Sequence, residues 1–456
     1  MQGFTRINSR LYEYSLLRDS KDFHRRPEDK GSFGQPEESR CARLASPLFS
    51  VCTARNKKKG GLLIKGYSKM KKTLAALAVL GAFAGSAVAA DVTLYGLVDY
   101  GFNYQHIDSD LKDVDAQDNF TMKSGQNSGS RFGLKGTEDL GNGLKVGFVL
   151  ENGFNADDGA LTTKDKLFDR ESSLFLQGNF GKLGFGRVGQ LASPLGSYGL
   201  LGNVSPFSTG WGDYSGMKFV QATGHTRYDN TISYVTPSFA GFQVHAQYSF
   251  GNSGEKDGNK WAEGKPSANR YYGIAATYSA ENLYLVGIVD SLNWGSKQQT
   301  QSAADPDELD DQWTVTLGGN YDFGFMKLYA AAQYFDNAWG VGQKGISETS
   351  SISADDNIHS INGLEGYSLS VGVGVPAFGG TAKAHIGYVD AEDTKSKDVL
   401  DASRWNVMVG YDYAFTKRTS VYTAVSYLRD SLESKTENKD RDPSAVELMA
   451  GLIHKF

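Results

Sequence analysis

The chain has 456 residues, a formal net charge of −5 and two cysteines, Cys41 and Cys52. Residues 91–456 alone hold 30 Lys and Arg against 45 Asp and Glu, so this part carries a net charge of −15 and no cysteine. The negative charge argues against a nucleic-acid partner, and the missing cysteines exclude a disulfide framework or a thiolate metal site in that part.

The first 90 residues divide into two segments. Residues 1–69 carry 15 Lys and Arg against 7 Asp and Glu and show no hydrophobic periodicity, so we interpret them as a spurious or disordered extension. Residues 70–90, MKKTLAALAVLGAFAGSAVAA, join a basic head, an apolar middle and a small-residue end, which predicts a signal peptide. We expect cleavage after Ala89 or Ala90. The apolar run is interrupted by glycine and serine, whereas a transmembrane helix needs about 20 apolar residues.

Residues 91–456 alternate apolar and polar side chains with a period of two, which is typical of strands with two different faces. In QWTVTLGGNYDF, residues 312–323, Trp, Val, Leu, Tyr and Phe share one face, while Gln, Thr, Asn and Asp share the other. FQVHAQYSF at 242–250 and YSLSVGVGV at 367–375 repeat this alternation. No stretch after residue 90 is apolar enough for a membrane-spanning helix.

The connections between these strands alternate between short and long. Seven short connections and eight long polar ones, the first of them near 107–128, join sixteen predicted strands. Aromatic residues flank the short connections: Phe180 and Phe185, Phe239 and Phe242, Phe323 and Phe325, and Tyr413 and Phe415. This pattern predicts an all-β fold, a 16-stranded antiparallel transmembrane β-barrel with short periplasmic turns and long extracellular loops. The sheet has to close because hydrocarbon offers no partner to free backbone N–H and C=O groups.

The third long connection, residues 190–226, is the longest and differs from the others in composition. Between Gln190 and Gly224 only Asp213 and Lys218 carry charge. It contains large apolar side chains that a loop in water would not need: Leu195, Leu200, Leu201, Phe207 and Trp211. We therefore predict that this segment, called the third loop below, folds inward against the barrel wall and forms a constriction in the pore.

Charged residues on the strands around the third loop are the candidate constriction residues: Arg131, Lys135, Arg170, Arg187 and Arg227, with the acids Glu151 and Asp213. Arg131 and Lys135 lie opposite Phe132 and Leu134 in the alternation and are predicted to face the lumen. Arg170 shares its phase with Leu174 and Leu176. If Arg170 points inward, we expect those leucines to lie dry beneath the folded third loop.

No motif in the chain indicates catalysis or a cofactor. GFGRVG, Gly184 to Gly189, fits the dinucleotide fingerprint in letters, but no helix is predicted after it. The histidines show neither H-x-x-x-H nor H-E-x-x-H spacing, so no zinc site is expected. We expect no enzyme activity and no cofactor. Motifs alone do not exclude a serine hydrolase, because the residues of a catalytic triad can be far apart in sequence. The alternatives to an open, water-filled transmembrane barrel are a barrel with a more specific solute-uptake or adhesin role, a barrel enzyme, and a soluble periplasmic β-sandwich.

Five segments carry a resemblance to a known family: TLYGLVDYG at 93–101, SGSRFGLKGTEDLGNGLKVGFVLENGF at 128–154, RESSLFLQGNFGKLGFGRVG at 170–189, RYDNTISYVTPSFAGF at 227–242 and AGLIHKF at the end. Together they resemble the general trimeric porins of the Gram-negative outer membrane, of the Neisseria and Burkholderia type. The resemblance covers essentially all of residues 91–456.

The resemblance implies a homotrimer in the cell outer membrane, among lipid and lipopolysaccharide, that passes ions and small hydrophilic solutes by diffusion. It implies a third loop whose acidic residues face basic wall residues, with Arg131, Arg170, Arg187 and Arg227 at matching positions. It also implies that Phe456 is a recognition signal for the barrel-assembly machinery. Leu97 stands where some enteric porins place a lysine, and the third loop offers only Asp213, so ion selectivity stays open.

Overall fold

The computed structural model describes residues 92–111, 113–208, 210–222, 226–251, 256–257, 260–295, 310–342, 362–393, 400–434 and 440–456. The predictions for residues 1–90, including signal cleavage after Ala89 or Ala90, lie outside these ranges. In the described ranges, no helix is long and apolar enough to cross a membrane.

The described residues form nineteen strands, with 3-10 turns at Leu201–Asn203 and Met217–Phe219 in the third loop. The strands are β1 Thr93–Asp108, β2 Gln117–Ser124, β3 Arg131–Gly141, β4 Leu144–Gly153, β5 Glu171–Gly178, β6 Gly181–Gly189, β7 Arg227–Val235, β8 Phe242–Ser249, β9 Lys256–Asp257, β10 Lys260–Trp261, β11 Arg270–Ser279, β12 Leu283–Asn293, β13 Gln312–Asp322, β14 Lys327–Trp339, β15 Asn362–Ala377, β16 Gly380–Asp393, β17 Leu400–Ala414, β18 Thr419–Ser434 and β19 Ser444–Lys455.

The main sheet closes on itself. All its pairings are antiparallel. From β3 to β8 and from β11 to β19 each strand pairs with the next, β8 pairs with β11, and β1 pairs with β19 from Leu97 opposite Lys455 to Asp108 opposite Ser444. β9 and β10 form a separate two-stranded hairpin. Because β2 and β3 occupy one place in the barrel, both beside β1, the sheet has sixteen barrel positions. The predicted closed 16-stranded barrel is confirmed.

The first long connection differs from the prediction, because β2 lies inside the segment expected to be a loop at 107–128. The second barrel strand is therefore interrupted at residues 125–130 rather than beginning after a long loop. The interruption is held inward by Asp99, whose Oδ2 accepts hydrogen bonds from the N–H groups of Asn127 (2.8 Å) and Ser128 (2.7 Å). A buried carboxylate on β1 thus takes the place of the missing ladder bonds.

The two faces of the strands differ as the alternation predicts. In β13, Leu317 is 59 % exposed on the outer face, while its neighbour Thr316 is fully buried on the inner face. The aromatic residues that flank the short turns are also exposed on the outside, among them Phe239 (82 %) and Phe325 (69 %). This apolar outer surface would be unstable in water but fits hydrocarbon, and the aromatic residues mark its border.

Two-residue turns close several hairpins on the short side. Asn142 and Gly143 join β3 to β4 with φ of 52° and 76°, and Phe378 and Gly379 join β15 to β16 with φ of 51° and 79°. Positive φ at both central residues is the geometry that matches the twist of paired strands. Asn and Gly adopt it easily, whereas at Phe378 the tight connection imposes it on a residue that is 96 % exposed.

Leu317→Lys tests the assignment of the outer face to lipid. We expect it to destabilise the barrel in lipid vesicles by about 2–4 kcal/mol, because a lysine at the middle of a strand would lie near the bilayer midplane. Urea titration followed by the heat-modifiable mobility of the folded barrel would measure this loss. Leu317→Ala is the control, since it removes apolar surface without adding charge. Equal stability of the lysine variant and the alanine control would contradict the assignment.

Candidate functional site

The third loop lies inside the barrel, as its composition predicts. Leu201, Phe207 and Trp211 are at most 3 % exposed. Phe207 and Trp211 belong to a buried apolar cluster that includes Leu97 of β1. Leu97 is therefore part of the surface on which the loop packs, which gives a physical reason for an apolar residue at this wall position.

The tip of the third loop is anchored by Glu447, a fully buried carboxylate on β19. Its oxygens accept hydrogen bonds from the N–H groups of Asp213 (2.9 Å) and Tyr214 (2.9 Å) and from the side chains of Asn103 (2.6 Å) and Gln105 (3.2 Å). In the described part of the chain, no ion pair joins Glu447 to a cation, and the N–H donors compensate its burial. The backbone of the tip is thereby fixed to the wall.

Three further wall residues bind the returning half of the loop. Asn406 of β17 accepts from the Gly216 N–H (2.8 Å), and Gln333 of β14 accepts from the Ala222 N–H (2.8 Å). Arg404, also of β17, donates from Nη1 to the Phe219 carbonyl (3.1 Å).

Arg404 is itself held by a bidentate ion pair. Its Nε and Nη2 lie 2.5 Å and 2.7 Å from the two oxygens of Asp430, and both side chains are almost completely buried. Removing one partner of such a pair would leave an uncompensated buried charge. This pair therefore fixes the direction in which Arg404 meets the loop.

The first half of the loop is bound by β5 and β12. Glu171 accepts from the Ser197 N–H (2.9 Å), and the Tyr284 hydroxyl donates to the Leu200 carbonyl (2.9 Å). Tyr198 lies between these anchors and is 3 % exposed. Burial, followed by the charge of Glu171, raises the pKa of the Tyr198 phenol, so this group stays protonated.

After the contact with β5, these contacts run from β12 through β14 and β17 to β19, and the apolar cluster with Leu97 extends them to β1. The predicted basic residues lie on the other side of the lumen. Arg131 and Arg170 share the carboxylate of Glu151 on β4, at 3.7 Å and 2.7 Å, and the Tyr95 hydroxyl donates to the same carboxylate (2.9 Å). Lys135 Nζ lies 5.0 Å from the centre of the Tyr95 ring.

Arg187 and Arg227 complete the basic group. Arg187 pairs with Asp229 of β7 at 2.7 Å, and Lys166 reaches the same carboxylate at 3.0 Å. The Nε atom of Arg227 is buried without a hydrogen-bond partner in the described structure. The structure thus brings Arg131, Arg170, Arg187 and Arg227 together. Within the described ranges, the ion pairs of this group are with two carboxylates, Glu151 and Asp229.

Asp213 lies apart from these arginines. Its carboxylate contacts Lys123 of β2 and accepts from Gln105 Nε2 at 3.0 Å. Among the described residues, the acids that pair with the wall arginines come from the wall itself. The resemblance implies that acids of the third loop face bases of the wall. In the described residues this arrangement does not take the form of a direct ion pair between Asp213 and one of these arginines.

The expectation for Leu174 was wrong. This leucine is 54 % exposed on the outer face, although Arg170 points inward to Glu151. The physical reason is that β5 begins at Glu171, so Arg170 precedes the strand and does not follow its alternation.

The sequence analysis did not identify the wall residues that bind the third loop, because it considered only the basic candidate residues and the two acids Glu151 and Asp213. The signal that could have found them is a polar residue in the inward phase of a strand otherwise predicted to be small or apolar. Glu447 lies between Val446 and Leu448, and Arg404 precedes Trp405, which is 47 % exposed on the outer face. The alternation alone assigns both side chains to the inner face.

The carboxyl terminus lies in the sheet beside β1. The Phe456 N–H donates to the Gly96 carbonyl (3.0 Å), and the Gly96 N–H donates to the Phe456 carbonyl (3.1 Å). The Phe456 ring is 47 % exposed, like Leu448 and Leu452 on the outer face of β19. Phe456 therefore points outward, in phase with these two leucines.

A family model described as Gram-negative porin matches residues 75–432. The chain is 33 % identical over 408 residues to an outer membrane porin protein of Bordetella pertussis, covering 85 % of this chain and all of that one. It is 31 % identical to outer membrane porin protein 32 of Delftia acidovorans, covering 84 % and 93 % of the two chains. Among solved structures, the anion-selective porin from Comamonas acidovorans matches with a TM-score of 0.57 at 25 % identity, over 81 % of this chain and all of that one.

Glu447→Gln tests the anchoring of the loop tip. The amide keeps one acceptor oxygen but loses the charge, and each hydrogen bond to a charged group contributes about 1.5–3 kcal/mol. We expect a looser tip, seen as greater open-channel current noise in planar bilayers. Glu433→Gln is the matched control, because Glu433 is exposed on the neighbouring strand β18. Unchanged noise in the Glu447 variant would contradict the anchoring role.

Proposed function

This chain belongs to the Gram-negative porin family, and on this premise we propose that it is a passive diffusion channel for ions and small hydrophilic solutes in the outer membrane. The observation that carries the proposal is a closed sheet, apolar outside and polar inside, with the third loop bound along one side of its lumen. Solutes pass between that loop and the arginine wall. The family and the names of the relatives indicate a channel rather than an enzyme.

The constriction lies between the third loop and the group of Arg131, Arg170, Arg187 and Arg227. These four positive charges outnumber the two negative charges of the paired carboxylates. Partly desolvated charges that line a narrow path act strongly on passing ions. The proposal is therefore a preference for anions at the narrowest point, in spite of the net negative charge of residues 91–456. The similarity to an anion-selective porin supports the same direction.

The remaining roles concern assembly. A solved porin of Vibrio cholerae, 16 % identical and with a TM-score of 0.50, is described in a trimer form. A homotrimer embedded in lipid and lipopolysaccharide is the proposed state of this chain as well. Phe456, at the outward-facing end of the closing strand, is proposed as the signal read by the barrel-assembly machinery.

Reversal potentials in a KCl gradient test both conduction and selectivity. The refolded protein should open in steps and favour chloride. Arg227→Gln should lower the anion-to-cation permeability ratio several-fold, because removing a charge near the ion path changes the energy of a passing ion by about 1 kcal/mol.

Arg429→Gln is the control, because it removes the same charge from an ion pair with Asp442 that is nearly half exposed on both sides. Absence of stepwise conductance would overturn the channel proposal. An equal change in both variants would overturn only the assignment of selectivity to the arginine wall.

A further inference from the structure

A cavity of about 430 Å³ lies beneath the third loop, on the side of the short turns. Its wall comes from β5 to β8 and their turns, and its roof from Ser197, Tyr198 and Leu200 of the loop. It is separate from the arginine group, since none of Arg131, Arg170, Arg187 and Arg227 lines it. A solute that has passed the constriction would meet this cavity on the way out.

Lys182 of β6 supplies a positive charge to the cavity. Its Nζ lies 4.3 Å from the centre of the Phe175 ring and 4.8 Å from that of Tyr198, so two aromatic rings fix the ammonium group. In the described part of the chain, no ion pair joins Lys182 to a carboxylate. Glu171, whose charge acts on Lys182, directs its oxygens to the Ser197 N–H and the Ser173 hydroxyl.

His245 of β8 adds a second polar group to the cavity. It is 7 % exposed, its Nε2 lies 3.0 Å from the Thr277 hydroxyl, and its Nδ1 has no partner in the described structure. When Thr277 donates to Nε2, the proton resides on Nδ1, which then donates to an oxygen acceptor. A buried ring nitrogen without a partner costs free energy that a bound oxyanion would recover.

The rest of the lining combines an apolar patch, with Leu200 above and Val235 and Pro237 beside the turn between β7 and β8, with the polar side chains of Gln177, Ser197, Thr236, Ser238 and Gln243. A fixed cation, an unpaired imidazole nitrogen and an apolar surface in one concave space are the elements of a small-ligand site. We propose that this cavity is a binding site for small organic carboxylates, with the carboxylate at Lys182 and His245 and the apolar part against Tyr198 and Pro237. The inference rests on the proposed function, because its ligands arrive through the pore.

The test uses the complete refolded channel in planar bilayers, with benzoate as the probe added on the side of the short turns. Benzoate should reduce the single-channel current, and Lys182→Gln should raise the concentration for half block about tenfold, as expected for loss of a charge-assisted contact. Lys182→Arg keeps the charge and should retain most of the block. Acetate, which lacks the apolar part, should block more weakly than benzoate.

Lys145→Gln is the matched control, because Lys145 is an exposed lysine next to the turn between β3 and β4 and does not line the cavity. It should leave the half-block concentration unchanged. Equal effects of the two glutamine variants, or equal block by acetate and benzoate, would overturn the site. A channel that opens but is not blocked by benzoate would also overturn it while leaving the proposed function intact. Absence of channels would instead count against the proposed function.

Discussion

The backbone of the third loop has to find hydrogen-bond partners inside the barrel, and the shape of the channel depends on how it does so. The N–H and C=O groups of the strands pair mainly between neighbouring strands. Backbone bonds, mostly within the loop, satisfy part of its backbone. Side chains on the inner wall supply further partners: Glu171, Gln333, Arg404, Asn406 and Glu447. A long segment with few charges is thus held at a fixed place in a lumen that would otherwise be wide.

This anchoring makes the lumen asymmetric. One side is covered by the loop, whose large side chains pack against the inner faces of β11 to β19 and against Leu97 of β1. On the other side, Arg131 and Arg170 share the carboxylate of Glu151, Arg187 pairs with Asp229, and Arg227 lies beside them. The acid of the third loop, Asp213, contacts Lys123 and Gln105. The positive potential that we propose for the constriction would then follow from where the loop is fixed.

Much of this architecture could be predicted from the sequence, because a period of two assigns each residue to one of two faces and the solvent on each face sets its composition. Leu317 and Thr316 illustrate how well this works inside a strand. The assignment of faces by a period of two failed where a strand begins or is interrupted. Arg170 lies just before β5 and does not follow its alternation, and β2 lies within a segment that was expected to be a loop. The hydrogen bond between the Asp213 N–H and Glu447 could not be predicted, because 234 residues separate the two and only closure of the barrel brings them together.

The central claim is that the third loop occupies the lumen and limits the flow of ions. The most direct measurement is the single-channel conductance of a variant in which residues 205–222 are replaced by a short glycine-serine linker, compared with the complete protein in the same salt. The account predicts larger conductance steps and weaker dependence of the current on solute size in the variant. Identical steps in the two proteins would show that the loop does not narrow the pore and would contradict the account.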